Sequence, residues 1–189
     1  MEQIILLDHE IFVYLNNLGN SSWDNFWLFI TNKFTWIPLY LVLLIYLFRN
    51  TTRKQFLLCV VLITLLIVAT DQLANLFKYG LERYRPCHDK TLTGKFRAVD
   101  CDHRGRFGFF SGHASNSMAL AIFIGLVMKN KLRWLLAAMM VWALMVGYSR
   151  IYLGVHFPGD VLVGFLIGGL NALVFYKLYH YFLPKVIKS

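Results

Sequence analysis

The sequence predicts an all-α integral membrane protein, a helical bundle of about five transmembrane helices with an amphipathic interfacial helix at its N-terminus. Of its 189 residues, 58% are hydrophobic and 15% are charged, whereas a soluble domain averages about a quarter charged. The apolar residues also gather into long runs separated by short polar stretches. No linker, low-complexity run or internal repeat divides the sequence, so we expect residues 1–189 to form a single membrane-embedded domain.

The segment of residues 1–18 is predicted to be the interfacial helix. Asp8, His9 and Glu10 interrupt it, so it is too polar to span a bilayer. Its apolar residues recur at roughly helical spacing, which is typical of a helix lying on a membrane surface. A cleaved signal peptide normally begins with positive charge, whereas this segment carries Glu2, Asp8 and Glu10. We therefore expect the helix to be retained.

The apolar runs predict the transmembrane spans. In order, they cover residues 23–48, 56–79, 114–128, 134–148 and 158–182. In the first span, Trp23 and Trp27 suit the membrane interface, while Asn32 and Lys33 need a protein neighbour or an interfacial depth. Basic residues follow the first and third spans and end the chain, and the positive-inside rule places them in the cytoplasm. The N-terminal helix and the loop of residues 82–110 are then expected on the outer face.

The second span ends in polar residues and leads into a basic loop. Asp71, Asn75 and Lys78 are spaced by four and three residues, which predicts one helical stripe facing the bundle. For Asp71 and Asn75, a polar network that only locks helix packing is the alternative to a functional site. The loop's positive charge departs from the positive-inside rule, and we interpret it as evidence that these cations bind something. Its basic residues are Arg83, Arg85, Lys90, Lys95, Arg97, Arg104 and Arg106.

A Ser-Gly-His sequence closes this loop. Ser111 is a good N-cap for the apolar helix that begins near Ala114. Backbone N–H groups at such a helix start, with Gly112 permitting close approach, can bind an anion. His113 would then stand beside that anion. The motif alone is weak support for catalysis, because short motifs recur by chance.

The stretch of residues 148–160 places a guanidinium, an imidazole and a carboxylate at the mouth of the last span. Arg150, His156 and Asp160 are these groups, and ionisable groups at membrane depth usually mark a function. Pro158 suits the first turn of a helix, which puts His156 just before that helix and Asp160 inside it. The carboxylate can accept a hydrogen bond from one imidazole nitrogen and leave the other free as a base, nucleophile or ligand.

Two residue pairs are predicted to act through structure alone. Gly164 and Gly168 form a small-xxx-small pair, which indicates close helix packing. Cys87 and Cys101 flank the basic loop. In an oxidising compartment they can form a disulfide that adds roughly 3 kcal/mol of stability, and two free thiols are the alternative.

Three motifs therefore converge on one predicted face. They are Lys78 to Arg85-Pro86, Phe110 to His113, and Ser149-Arg150 to His156 and Asp160. In order and spacing they resemble the signature of the type 2 phosphatidic acid phosphatase superfamily, which also includes soluble acid phosphatases and vanadium haloperoxidases. The resemblance covers roughly residues 70–180. Phe110 stands where the family has Pro, a position that shapes the backbone and supplies no chemical group.

The resemblance implies a membrane phosphatase that hydrolyses a lipid phosphate or diphosphate through a phospho-histidine. His156 would be the nucleophile, Asp160 would orient it, and His113 would protonate the leaving oxygen and later activate water. The implied phosphate-binding residues are Lys78, Arg85, Ser111, Gly112 and Arg150. Because these cations can stabilise the transferring phosphoryl group, we expect no cofactor and no metal. The sequence agrees, since it shows no carboxylate or Cys/His cluster at metal-ligand spacing.

The sequence supports a substrate class better than one molecule. Undecaprenyl diphosphate ranks first, lipid A phosphate second and phosphatidylglycerol phosphate third, because the loop cations favour a substrate with more than one phosphate. The expected location is the bacterial inner (cytoplasmic) membrane, with the site on the periplasmic face. The expected partners are the lipid phosphate and the bilayer, and the oligomeric state stays open.

Other classes of function explain less of the sequence. A non-enzymatic transporter or scaffold accounts for the helices but not for the gathered histidines and cations. A haloperoxidase would use a similar anion pocket but needs no access to lipid. The net charge of +9 also raises nucleic-acid binding. We expect none, because the charge is divided between bilayer-flanking loops and a small pocket.

Overall fold

The computed structural model describes residues 2–101 and 105–188, and in these residues the regular structure is helical, without β-strands. The predicted all-α membrane fold is thus confirmed. The α-helices of the described residues are α1 (Glu2–Asn17), α2 (Asp24–Thr31), α3 (Ile37–Asn50), α4 (Arg53–Leu81), α5 (Gly112–Val127), α6 (Leu135–Tyr152) and α7 (Pro158–Lys188).

The described helices differ in whether they can cross a bilayer alone. Three of them, α4, α6 and α7, are long and apolar enough, and α2 with α3 can form a fourth span bent by 62°. Helix α5 has 16 residues, about 24 Å at 1.5 Å per residue, which is shorter than the roughly 30 Å of the hydrocarbon core. The total of about five spans therefore stays a prediction.

The first span is broken, which corrects the expectation of one continuous helix over residues 23–48. Asn32 has an extended backbone, with φ −75° and ψ 119°. Its side chain accepts a hydrogen bond of 3.0 Å from Phe34 N and starts a short 3₁₀ turn. The chain becomes α-helical again at Ile37, with Pro38 in the first turn of α3, where a missing N–H is tolerated.

Helix α5 lies at the centre and packs closely on α7. A Cβ atom on Gly164 would lie 2.8 Å from the backbone oxygen of Ser111, and one on Gly168 would overlap that of Ser115. The glycine pair is therefore a packing device, as predicted. Because α7 can approach so closely, the first turns of α5 and α7 come together at one end of the bundle.

The N-terminal helix α1 rests on this end. Its Phe12 is fully buried, while a row of large apolar side chains remains exposed, as expected for a helix that contacts lipid. These are Ile4, Ile5, Leu6, Leu7, Ile11 and Tyr14. Buried Asn16 fixes the helix by donating to the backbone oxygen of Tyr152 at 2.8 Å and accepting from Arg97 N at 2.7 Å.

The loop between α4 and α5 is held by covalent and ionic links. Cys87 and Cys101 form the disulfide that the sequence left open, with their Cα atoms 5.7 Å apart. Arg97 donates to both carboxylate oxygens of Asp24, at 2.7 and 2.8 Å. These hydrogen bonds raise the pKa of Arg97 above its ordinary value. Arg104 lies outside the described residues.

Candidate active site

The predicted site residues surround one cavity of about 590 Å³ among α3, α4, α5 and α6. The predicted residues that line it are Lys78, Arg85, Gly112, His113, Arg150 and His156. Ser111 and Asp160 are fully buried next to Gly112 and His156. The structure thus brings together three motifs that are separated by as many as 82 residues between Lys78 and Asp160.

His156 and Asp160 have the relationship predicted from their spacing. Helix α7 begins at Pro158, so His156 precedes it and Asp160 lies in its first turn. His156 Nδ1 lies 3.3 Å from Asp160 Oδ2, and its Nε2 lies 3.2 Å from Arg85 NH1. A guanidinium can only donate, so Nε2 accepts there and Nδ1 carries the proton toward Asp160. In this tautomer Arg85 engages the Nε2 lone pair, and both side chains line the cavity, so Nε2 becomes available to attack when the Arg85 guanidinium donates to a bound phosphate instead.

Asp160 has a second set of partners that sequence reasoning missed. Arg83 donates from NH1 to Asp160 Oδ1 at 2.6 Å and from NH2 to Asp8 Oδ2 at 2.6 Å. Asp8, on α1, also accepts from Gly159 N at 2.8 Å, and Arg83 lies 4.5 Å from the Phe157 ring centroid. A single chain of contacts therefore connects the interfacial helix to the histidine. The feature of the sequence that could have indicated this role is the position of Arg83, two residues before Arg85 in the basic loop.

Two arginines are held by the backbone and by the broken span. Arg85, 9% exposed, donates to Phe107 O at 3.1 Å and Val155 O at 3.3 Å. Arg150 is 1% exposed and donates to Thr31 Oγ1 at the end of α2. Helix α6 continues through Arg150, whereas the sequence predicted that the span ends at residue 148. Its fixed helical position directs the guanidinium toward the cavity.

The N-terminus of α5 forms another wall. Ser111 is the N-cap, as predicted, and its hydroxyl accepts from Ala114 N at 3.5 Å. Its own N–H donates to the backbone oxygen of Asp160 at 3.0 Å. The helix begins at Gly112, two residues earlier than expected. Gly112 borders the cavity together with Lys78, so a helix N-terminus and an ammonium group face the same space.

The polar stripe predicted on α4 is only partly correct. Asp71 and Lys78 line the cavity, because seven residues bring a helical position back to within about 20°. Asn75 is exposed instead and lies beside Gln72 and Tyr79 in a shallow surface pocket. Four residues rotate it by about 40° from Asp71, which is enough to place it outside the cavity.

The loop cations were expected to bind something, and two of the arginines bind carboxylates of this chain instead of lining the cavity. Among the described basic residues of residues 82–110, Arg85 alone lines the cavity. Arg83 and Arg97 form ion pairs within the protein, and Arg106 lies 5.8 Å from the centroid of the Tyr84 ring. The sequence could not show that carboxylates of α1 and α2 fold back onto this loop.

The cavity has a second, apolar half. Beyond the site, its walls consist of side chains from α3, α4, α5 and α6. They include Leu43, Leu44, Leu47, Ile63, Ile67, Leu120, Ile124 and Trp142. One end can therefore receive a phosphate and the other a hydrocarbon chain. In the described part of the chain, no three His, Cys, Asp or Glu side chains form a group suited to a metal ion.

Comparison with known sequences shows similarity over most of the chain. The model of the PAP2 superfamily matches residues 55–184. The lipid A 4'-phosphatase of Bacteroides thetaiotaomicron is 36% identical over 176 residues, covering 92% of this chain and 77% of that protein. The lipid A 4'-phosphatase of Porphyromonas gingivalis is 32% identical, covering 96% and 76%. An undecaprenyl-diphosphatase of Sulfolobus acidocaldarius is 29% identical, covering 88% and 76%.

Comparison with solved structures shows a shared fold. The crystal structure of a transmembrane PAP2 type phosphatidylglycerolphosphate phosphatase from Bacillus subtilis superimposes with a TM-score of 0.76 at 24% identity. The superposition covers 96% of this chain and 88% of that one. This chain therefore shares the fold of that protein over most of its length.

Proposed function

Because this chain belongs to the PAP2 superfamily and is a multi-pass membrane lipid phosphatase, we propose that its substrate is a lipid A phosphate and that it acts through a phospho-histidine. The observation that carries the proposal is the two-part cavity, in which a cationic end continues into an apolar groove. The two lipid A 4'-phosphatases, which are similar over more than nine-tenths of the chain, support this choice. Undecaprenyl diphosphate, ranked first from sequence, loses its main argument because, among the described basic residues of 82–110, Arg85 alone lines the cavity.

The proposed reaction begins with attack by His156 Nε2 on phosphorus. A nitrogen–phosphorus bond forms while the bond to the lipid oxygen breaks, and His113 donates a proton to that oxygen. In the second step His113 takes a proton from water, the water oxygen attacks phosphorus, and the nitrogen–phosphorus bond breaks. Inorganic phosphate leaves and both histidines return to their starting states.

The surrounding groups stabilise the charge in this scheme. Lys78, Arg85 and Arg150, with the N–H groups at Gly112, would hold the oxygens of the transferring phosphoryl group. Asp160 accepts a hydrogen bond from the Nδ1–H of His156 and stabilises the positive ring that forms when Nε2 bonds to phosphorus. These side chains supply the charge that a metal ion supplies in other phosphoryl-transfer enzymes, so we expect turnover to survive chelators.

We further propose a location for the site. The positive-inside rule supports an outer-face site in a bacterial inner membrane, with α1 on the periplasmic surface and residues 1–189 acting as one domain. A phosphatase there would act on lipids that present their phosphates to the periplasm. Fusion of a reporter near Asp100 tests this orientation, and a cytoplasmic signal would contradict it.

Undecaprenyl diphosphate is the second candidate. It is favoured by the similarity to the Sulfolobus undecaprenyl-diphosphatase and by the apolar half of the cavity, which also suits a polyprenyl chain. It differs chemically from a lipid A phosphate because its reaction cleaves a phosphoanhydride, so the two candidates can be separated by assay.

Phosphate release by detergent-purified protein tests the proposal. Lipid A phosphate, undecaprenyl diphosphate and phosphatidylglycerol phosphate are compared by kcat/KM. We expect a preference of at least about tenfold for lipid A phosphate, equivalent to about 1.4 kcal/mol of transition-state binding. A tenfold preference for either other lipid would overturn the ranking, and release from none of them would contradict a lipid substrate altogether.

A further inference from the structure

A carboxylate stands beside the phosphate site without a part in the proposed reaction. Asp71 lines the cavity, and its side chain is exposed. A methyl group at Gly112 would lie 3.9 Å from both Asp71 Oδ1 and Lys78 Nζ, so the carboxylate and the ammonium flank the same glycine. A negative charge in an anion-binding cavity opposes phosphate binding. Its presence therefore needs another explanation.

Asn116 on α5 is the partner of this carboxylate. Asn116 Nδ2 donates to Asp71 Oδ1 at 2.7 Å, which fixes the carboxylate against the cavity wall and leaves Oδ2 to face other groups. Asn116 Oδ1 is buried and, within the described residues, receives no hydrogen bond. A buried acceptor without a donor is costly. Asn116 lines the cavity beside Asp71, so the pair brings hydrogen-bond acceptors to the wall of the anion site.

We propose that Asp71 and Asn116 form a subsite that accepts a hydrogen bond from the substrate. The pair has an excess of acceptors, so its ligand must be a donor, and on an uncharged part of a lipid phosphate that donor is a hydroxyl or an amide N–H. Because Asp71 and Lys78 flank the same glycine, that donor lies within a few bonds of the phosphate. This inference rests on the proposed function and specifies its substrate class as an acylated amino-sugar phosphate, which carries both kinds of donor near its ester.

The subsite also explains discrimination between lipids. A polyprenyl diphosphate has no hydroxyl or amide next to its phosphates, so Asp71 gains no partner from it. Its second phosphate would add negative charge close to the carboxylate, and like charges repel. Phosphatidic acid likewise lacks such donors, since both remaining glycerol oxygens are esterified. The subsite therefore favours the amino-sugar phosphate over polyprenyl diphosphate and phosphatidic acid. Phosphatidylglycerol phosphate carries one hydroxyl beside its terminal phosphate and no amide, so the subsite discriminates against it less.

The test compares two phosphomonoesters that differ in donors. One is an acylated glucosamine phosphate with its amide and a free hydroxyl, and the other is phosphatidic acid. Asp71→Ala is expected to lower kcat/KM about 10- to 100-fold for the glucosamine lipid, the size expected for losing a hydrogen bond to a charged group. The loss for phosphatidic acid is expected to be less than about threefold. Asn116→Ala should act in the same direction with a smaller effect.

Matched variants separate recognition from folding. Asp71→Asn keeps the shape and the contact to Asn116 while removing the charge, so it tests the carboxylate if the alanine variant is unstable. Asn75→Ala changes the same helix outside the cavity and should leave the substrate ratio unchanged. Equal losses on both lipids in Asp71→Asn would overturn the subsite and leave the proposed function standing. Failure of the wild-type protein to hydrolyse the glucosamine lipid, with release from phosphatidic acid, would overturn both.

Discussion

Two carboxylates lie near one cavity, Asp71 on its wall and Asp160 buried behind His156, and the protein surrounds them differently. Asp160, at the start of α7, is fully buried. It accepts from Phe157 N at 3.1 Å and from Arg83 at 2.6 Å, and it lies against His156. Asp71, on α4, is exposed to the cavity, and Asn116 engages its Oδ1 atom. The first carboxylate is occupied by the protein, whereas the second is presented to a ligand.

This difference separates the reaction from the choice of substrate. A buried carboxylate with several donors can hold an imidazole in one orientation, because moving it would break several hydrogen bonds at once. An exposed carboxylate with one oxygen held by a hydrogen bond is fixed in position, and its other oxygen remains accessible to a ligand. The start of α7 would therefore determine whether phosphate is transferred, and the wall of α4 and α5 would determine which lipid is used. Variants on the two sides should consequently change different kinetic quantities.

The largest effect is expected from His156→Ala. If His156 is the nucleophile, its loss removes the covalent intermediate and no other group replaces it, so phosphate release should fall below detection on every lipid. Release is measured by a coupled phosphate assay, and the thermal unfolding midpoint confirms that the variant is folded. Measurable turnover by a folded variant would show that His156 is not the nucleophile.

His113→Ala should have the next largest effect. It removes acid–base catalysis but leaves the nucleophile, so we expect kcat to fall by about 10² to 10⁴ on all lipids alike. A substrate with a better leaving group, such as the phosphate monoester of a nitrophenol that carries an alkyl chain, should recover part of this loss, because its leaving oxygen needs no proton. Equal losses on good and poor leaving groups would argue against proton donation by His113.

The sequence predicted the surroundings of Asp160 better than the surroundings of Asp71. His156, Pro158 and Asp160 lie within one short stretch, so the order of residues alone indicates which group orients the imidazole. Asp71 was recognised as a polar residue on α4, but its partner Asn116 is 45 positions away. Local spacing contains no information about such a pair.

The structure departs from the sequence prediction where a contact depends on one residue, on residues distant in the sequence, or on how neighbouring helices pack. The break at Asn32 depends on the side chain of a single residue, which caps the turn that follows α2. A long apolar run does not reveal such a break, because hydropathy is averaged over many residues. The link from Asp8 to Arg83 spans 75 positions, so α1 looked like a surface helix without a role in the site. Asn75 was misplaced because a helical spacing of four leaves an angular difference that only the packing of neighbouring helices resolves.

The smallest effect, and the sharpest test of the comparison, is expected from Arg83→Gln. Arg83 touches Asp160 but does not line the cavity, so it is a positioning residue rather than a catalytic one. Glutamine keeps a donor but removes the charge, which leaves Asp160 less firmly held beside His156. We expect kcat to fall about tenfold and KM to change less than about threefold, because a misaligned imidazole weakens transition-state interactions more than binding.

Asp8→Asn should show a weaker version of the same pattern, since Asp8 acts through Arg83. Arg106→Gln, an exposed arginine of the same loop that packs on Tyr84, is the matched control and should keep normal kinetics. Asp71→Asn should give the opposite signature, a change in the ratio of kcat/KM between lipids with little loss on phosphatidic acid. If Arg83→Gln altered the substrate ratio, or Asp71→Asn slowed every lipid equally, the two carboxylates would share one role and the division between reaction and selection would be wrong.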